Sequence, residues 1–155
     1  PALRNVEILR YGSIHRNTYL KSPEFLGHDL SFKSAPRIYL AGQISGVEGY
    51  TESAAIGLLA GRACVAKARG QEFTMPPRES MIGALGRYVT EGCLGPYQPM
   101  NANFGLLPPP PVVQDPARKK PKKISKADRK SVIADRARQL FVEYQERILR
   151  ASPSE

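Results

Sequence analysis

The chain has 155 residues, 41% of them hydrophobic, and a formal charge of +9. That is enough chain for one core of ordinary size, and no apolar run of about eighteen residues is present to cross a membrane as a helix. The start, PALRNVEILRYG, has no apolar signal core. Cys64 and Cys93 lack metal-type spacing, and their scarcity fits a reducing, cytoplasmic setting with no metal site. A transit peptide stays open, because the sequence begins at Pro1.

The charge is unevenly placed. Residues 117–150 hold twelve Lys and Arg against four Asp and Glu, whereas residues 1–116 hold eleven against nine. The basic character belongs to the last third, which points to a polyanionic partner, nucleic acid ahead of membrane.

In chain order, Val6 to Leu9 reads as a short strand. Tyr11 to Leu26, YGSIHRNTYLKSPEFL, has no clean period and gathers His15, Arg16 and Asn17 between Tyr11 and Tyr19. Such a cluster suits either a flat polar heterocycle, with rings to stack and donors to read its edge, or a loop satisfying buried carbonyls. Leu30 and Phe32 alternate with polar residues, as a further short strand would. Ile38 to Ala41 reads as a buried strand. Gly42, Gly46 and Gly49 then break the pattern before a helix over about Val47 to Ala68. Ala54, Gly57, Ala60, Gly61 and Ala63 give that helix a nearly flat side. Strand, glycine turn and helix together aim free N–H groups at electron-rich atoms; a plain packing unit has the same outline.

Gly70 is a helix stop. Arg78 to Glu91 reads as a helix with Met81, Leu85, Tyr88 and Val89 on one side. Gly83 and Gly86 cost it about 1 kcal/mol each relative to Ala, so something packs close there. Gly92 to Pro111 is a loop whose prolines exclude a central strand or helix. Four prolines and the run Arg118 to Lys123 form a hinge. Ser125 and Asp128 are placed to cap a last helix from Lys126 to about Leu149. Its stripe is Ile133, Ala137, Leu140, Phe141, Tyr144 and Ile148, with Arg138, Glu143 and Glu146 opposite. Lys119, Lys120, Lys122 and Lys123 are candidates for phosphate contact, against a merely solvated charged face.

Four stretches carry a resemblance: RYGSIHRNTYLKSPEFL, AGQISGVEGYTESAAIGLLAG, RESMIGALGRYVTE and YQPMNANFGLLPPPP. Each is similar to a segment of the bacterial folate- and FAD-dependent tRNA (uracil-5-)-methyltransferases. The second matches their flavin-contacting segment almost without a gap. The fourth departs at Tyr97, where the family wording has Phe. The resemblance runs from Leu3 to about Leu149 and covers the C-terminal third or so of a family member. The family's GxGxxG turn, which holds the FAD pyrophosphate, does not occur here.

The resemblance implies an α/β fold: the C-terminal portion of a Rossmann-like FAD-binding domain, then helices and an ordered proline-rich loop. Residues 1–70 would complete the FAD-binding domain, 71–116 would wrap it, and 117–155 would form a basic linker and helix. It implies methylation of C5 of the T-loop uridine in tRNA, with methylenetetrahydrofolate as carbon donor, reduced FAD as reductant and NAD(P)H as the electron source. Gly42, Gln43, Gly46, Val47, Glu48 and Tyr50 are implied on the flavin side, with His15, Arg16 and Asn17 as weaker candidates. The family's nucleophilic cysteines lie in a part not matched here. Cys64 is expected in the core and Cys93 in a loop, and neither is assigned catalysis. The implied partners are tRNA and the N-terminal part of the FAD domain. Two alternatives stand: the cousin flavoproteins that build carboxymethylaminomethyl-uridine at the tRNA wobble position, and a non-catalytic basic RNA-binding module.

Overall fold

The computed structural model describes residues 4–9, 12, 17–110 and 125–151. Four helices are present among them: α1 (Ser22–Phe25), α2 (Tyr50–Ala68), α3 (Met81–Glu91) and α4 (Lys126–Ala151). Short 3-10 turns occupy Gln43–Ser45 and Phe104–Leu106.

No β-strand forms among the described residues. Only isolated bridges appear, Leu26 with Phe32, Ser31 with Tyr39, and Val47 with Met100. Ile38 to Ala41, read as a buried strand, has a single bridge through Tyr39, and Ile38 is exposed. A strand needs a neighbour for its row of N–H and C=O groups. Here one short loop offers that edge, so apolar sequence alone does not make the strand. Val6 to Leu9 is exposed and has no strand partner among the described residues.

The core forms where α2 and α3 meet the loop before them. Leu26, Leu30, Val47, Ile56, Leu59, Met75, Leu85 and Val89 make one cluster. Leu30 enters it with a left-handed backbone, φ 66°, unusual for a branched side chain. The turn is held by the Asp29 carboxylate, which accepts from the Ser31 N–H at 3.1 Å and the Ser31 hydroxyl at 2.7 Å.

The start of α3 is built from prolines. Pro76 is fully buried, and Ser80 caps the helix by accepting from the Gly83 N–H at 3.1 Å. A Cβ on Gly83 would collide with the Pro77 carbonyl and lie 2.6 Å from that of Pro76. One on Gly86 would lie 2.8 Å from the Met75 sulfur. The two helical glycines are therefore answered by close packing, as their sequence context suggests.

The last helix is capped as its sequence indicates, with the Asp128 N–H donating to the Ser125 hydroxyl at 3.1 Å. Ile133 and Tyr144 are buried along its stripe, while Arg138, Glu143 and Glu146 face solvent. Arg136 reaches the Pro108 and Pro109 carbonyls at 2.6 and 3.1 Å. The Tyr144 hydroxyl donates to the Thr74 carbonyl at 2.8 Å and accepts from Arg62 at 3.1 Å. These contacts fix α4 to the body at two points.

Urea denaturation tests the α3 start. Gly83→Ala should lower stability by about 1–3 kcal/mol through overpacking, and Ser80→Ala by about 1 kcal/mol through loss of the cap. An unchanged midpoint for Gly83→Ala would refute the close approach.

Candidate functional site

The glycine turn and the start of α2 form the candidate site. Gly42, Gly46 and Gly49 have φ of 73°, 82° and 102°. This is the left-handed region where a Cβ is costly. Within the turn, the Gly46 N–H donates to the Gln43 carbonyl at 3.0 Å and the Ser45 hydroxyl to the Gly42 carbonyl at 2.6 Å. Val47 then drops into the core, fully buried, while Tyr50 projects into solvent, 98% exposed.

The turn is strapped from a distant loop. The Glu48 N–H donates to the Met100 carbonyl, and the Met100 N–H to the Gly46 carbonyl, both at 3.0 Å. Asn101 donates to the Glu48 carbonyl at 3.2 Å, and the Ala102 N–H donates to the Glu52 carboxylate at 3.3 Å. The Ser45 carbonyl accepts two hydroxyls, Tyr97 at 2.6 Å and Ser22 at 2.9 Å. The Tyr97 ring fills the space beside Gly46, where an added Cβ would lie 2.6 Å from its Cε1. Tyr97 in turn stacks on Tyr88 with centroids 5.0 Å apart. Burial, with the neighbouring Tyr88 hydroxyl, raises the Tyr97 pKa well above its ordinary value of 10.0.

These bonds decide which donors remain. The N–H groups of Gly46 and Glu48 are already used within the chain. Those of Gly49, Tyr50, Thr51 and Glu52 have no partner among the described residues, and no side chain caps the helix. An uncapped start of a nineteen-residue helix is an electropositive end with free donors. The Glu52 carboxylate folds over Gly49 and supplies one negative charge beside it.

Of the other sequence candidates, Gln43 is exposed and Asn17 half-buried. His15, Arg16, Lys119, Lys120, Lys122 and Lys123 lie outside the described residues. Cys64 is exposed, not in the core, because it lies on the solvent side of α2. Cys93 is exposed as its loop suggests. No group of His, Cys, Asp and Glu fit to hold a metal occurs among the described residues. Tyr97, Glu52 and Asn101 were not expected at the site from sequence, although the YQPMN and ESAA runs contain them.

Comparison with known proteins gives this geometry a context. Residues 1–72 match the family model described as glucose inhibited division protein A. A methylenetetrahydrofolate–tRNA-(uracil-5-)-methyltransferase TrmFO from Paramagnetospirillum magneticum is 46% identical over 140 residues, covering 90% of this chain and 30% of that protein. Over this span the chain is a TrmFO-family sequence. The TrmFO of Sphingopyxis alaskensis is 48% identical over 130 residues, covering 83% of this chain and 28% of that protein. The TrmFO of Thermus thermophilus is 52% identical over 109 residues, covering 70% and 25%. The chain thus spans less than a third of the length of these TrmFO relatives.

Gly46→Ala should cost at least about 1–3 kcal/mol, since the φ and the Tyr97 ring both oppose a side chain. Tyr97→Phe keeps the ring and loses one hydrogen bond, for about 1 kcal/mol. A tyrosine raised in the folded state stabilises fully below its unfolded value and loses that contribution as pH rises through the folded one. Stability should therefore fall above about pH 10, the ordinary tyrosine value. Tyr97→Phe should remove part of the fall, the rest coming from Tyr39 and Tyr88, which burial also raises. Urea melts across alkaline pH check both.

Proposed function

We propose that this chain carries the flavin-contacting segment of a TrmFO-type protein that methylates C5 of a T-loop uridine in tRNA. Methylenetetrahydrofolate would supply the carbon, and NAD(P)H the electrons. The carrying observation is the uncapped start of α2 beside three left-handed glycines, in a stretch that matches the family's flavin segment. The residues present fit such a group: free N–H donors and an exposed aromatic ring beside the glycine turn. When bound, reduced FAD supplies the reducing electrons of the methylation.

The chain's own part is to bind and orient. The Gly49 and Tyr50 N–H groups would hold the electron-rich pyrimidine edge of the flavin ring, with Gly42, Gln43, Gly46 and Val47 shaping the turn. Charge on that edge is favoured at a helix N-terminus by about 0.3–2 kcal/mol. Tyr50 offers a face for stacking on the flavin or on a folate pterin. Glu48 contributes its backbone to the strap. Asn17, with His15 and Arg16, remains a proposal for the flavin or folate edge, and the basic run with Lys119, Lys120, Lys122 and Lys123 for tRNA phosphates.

The fold we propose for the complete site is the Rossmann-like α/β domain, with residues 1–70 as its C-terminal part, 71–116 wrapping it and 117–155 as basic linker and helix. Its pyrophosphate-binding portion would come from sequence that this chain does not span, so the 155 residues alone should be inactive. We place the protein in the cytoplasm, where tRNA and reduced cofactors meet; no described helix is long and apolar enough to cross a membrane. The wobble-uridine cousins are disfavoured by Val47-Glu48, Thr51 and Ser53, where their wording is GQINGTTGYEEAAAQGL. A basic module acting on RNA alone would also use the uncapped helix start, for phosphate, but it gives no account of the match to the flavin segment.

The test is flavin absorbance of a TrmFO-length protein containing this chain. Flavin should copurify with it, and Tyr50→Ala should weaken FAD binding about tenfold, or about 1.4 kcal/mol, without lowering thermal stability. Tyr50 suits this purpose because it packs on nothing, whereas Gly46 substitutions also break the strap. A folded protein of full length that takes up no flavin sinks the assignment and leaves RNA binding as the leading idea.

A further inference from the structure

Around the glycine turn, backbone acceptors are used up as thoroughly as donors. The carbonyls of Gly42 and Gln43 accept from Ser45 and Gly46 within the turn, and that of Ile44 accepts from the Leu20 N–H. The Ser45 carbonyl takes the Tyr97 and Ser22 hydroxyls, and that of Gly46 takes the Met100 N–H. The Glu48 carbonyl takes the Asn101 amide, and that of Gly49 the Ser53 N–H. Val47 is fully buried.

One charged acceptor at the helix start is both anchored and free. Glu52 follows Gly49 by three residues, and its carboxylate turns back over that glycine. A Cβ on Gly49 would meet Oε2 and lie 2.6 Å from the carboxylate carbon. Oε1 accepts from the Ala102 N–H at 3.3 Å and is the structural half of the group. Oε2 has no hydrogen-bond or ion-pair partner among the described residues. Glu52 is half-buried and Gly49 exposed, so the free oxygen stands beside an open surface. The other nearby carboxylate, on Glu48, has no such anchor among the described residues.

We propose that Glu52 is a specificity-determining residue whose Oε2 accepts the imide N–H of the flavin ring. The pyrimidine edge of a flavin presents an acceptor, a donor and an acceptor: the C2 carbonyl, the N3–H and the C4 carbonyl. Free N–H groups at Gly49 and Tyr50 suit the carbonyls and cannot serve the N3–H. A donor left unpaired on burial is costly, and a carboxylate meets it with a charge-assisted bond. Donors beside one fixed carboxylate oxygen are the complement of that edge. This role rests on the flavin reading above and adds to it the group that discriminates among ring edges. A uracil has the same imide, but the stretch that holds Glu52 is the one matched to the flavin segment.

The test compares FAD with 3-methyl-FAD, in which a methyl group replaces the imide hydrogen. Both are titrated, by flavin fluorescence, into the flavin-free form of a hybrid joining this chain to the remainder of the Paramagnetospirillum magneticum TrmFO. The wild-type hybrid should bind 3-methyl-FAD at least about tenfold more weakly than FAD. Glu52→Gln should shrink that ratio to about threefold or less, because the one amide oxygen is taken by Ala102 and the NH2 faces the ring. A ratio of two ligands on one protein cancels any general loosening of the turn. With FAD bound, Glu52→Gln should also raise the flavin midpoint potential, since a negative charge beside the ring opposes the incoming electrons.

Equal binding of the two flavins by the wild-type hybrid overturns the role of Glu52, whatever the variants do. So does a discrimination that survives Glu52→Gln, or a potential that stays or falls. Unaltered flavin discrimination with lost methylation of tRNA overturns it in favour of the uracil imide. Where the glutamine variant does not fold, Glu52→Ala gives the same ratio. Where the hybrid does not fold, the native relative substituted at the residue aligned to Glu52 gives the same readout. A folded protein that takes up neither flavin removes the flavin reading itself; one that binds both alike keeps that reading and removes only Glu52.

Discussion

The pairing of Met100 with Gly46 and Glu48 is the constraint on which this structure depends. Two backbone hydrogen bonds, each 3.0 Å, join a proline-rich loop to a glycine turn some fifty residues away in sequence. Without them the turn keeps its own 3-10 bonds and the grips of Leu20, Ser22 and Tyr97, but loses the two backbone bonds that lead directly into α2. The Tyr97 ring reinforces the same junction by occupying the space that Gly46 leaves bare. Its hydroxyl and that of Ser22 converge on one carbonyl, that of Ser45, so the loop and the N-terminal segment grip the turn from two directions. Short backbone bonds around a bare glycine make a rigid frame, and a rigid frame is what a binding turn requires.

The frame also settles which groups are free to act. Pairing consumes the N–H groups of Gly46 and Glu48 and leaves those from Gly49 to Glu52. The electropositive helix start is thus defined by subtraction: donors used in the strap hold the geometry, and the remainder are available. Glu52 works on the structural side, since its carboxylate takes the Ala102 N–H. A glutamate one turn into a helix stabilises that end in isolation, and here it also ties the loop down.

Local signals were legible in the sequence and pairings were not. The Ser125 cap, the α4 stripe and the close approach at Gly83 and Gly86 all follow from short-range patterns, and each is found. The strand expected at Ile38 to Ala41 is not, because a strand is a property of two edges and only one isolated bridge reaches it. Cys64 was placed in the core by the small and apolar character of its helix, but apolar residues on several sides do not say which side is covered. The strap was hidden for a related reason. Its residues carry turn chemistry, and turn chemistry gives no partner at fifty residues' separation. Family wording marked Gly42 to Tyr50 as a site, but the contribution of Tyr97 became visible only when its ring was found against Gly46.

The open face of α2 and the uncapped start of the same helix have one physical origin. Each is a set of groups without a partner among the described residues: N–H donors without acceptors at one end, Gly57, Gly61 and exposed Leu58 and Val65 along the side. Because α2 is one continuous helix of nineteen residues, the two are geometrically coupled. The strap sets the direction of both from within the chain, because it fixes where the helix begins.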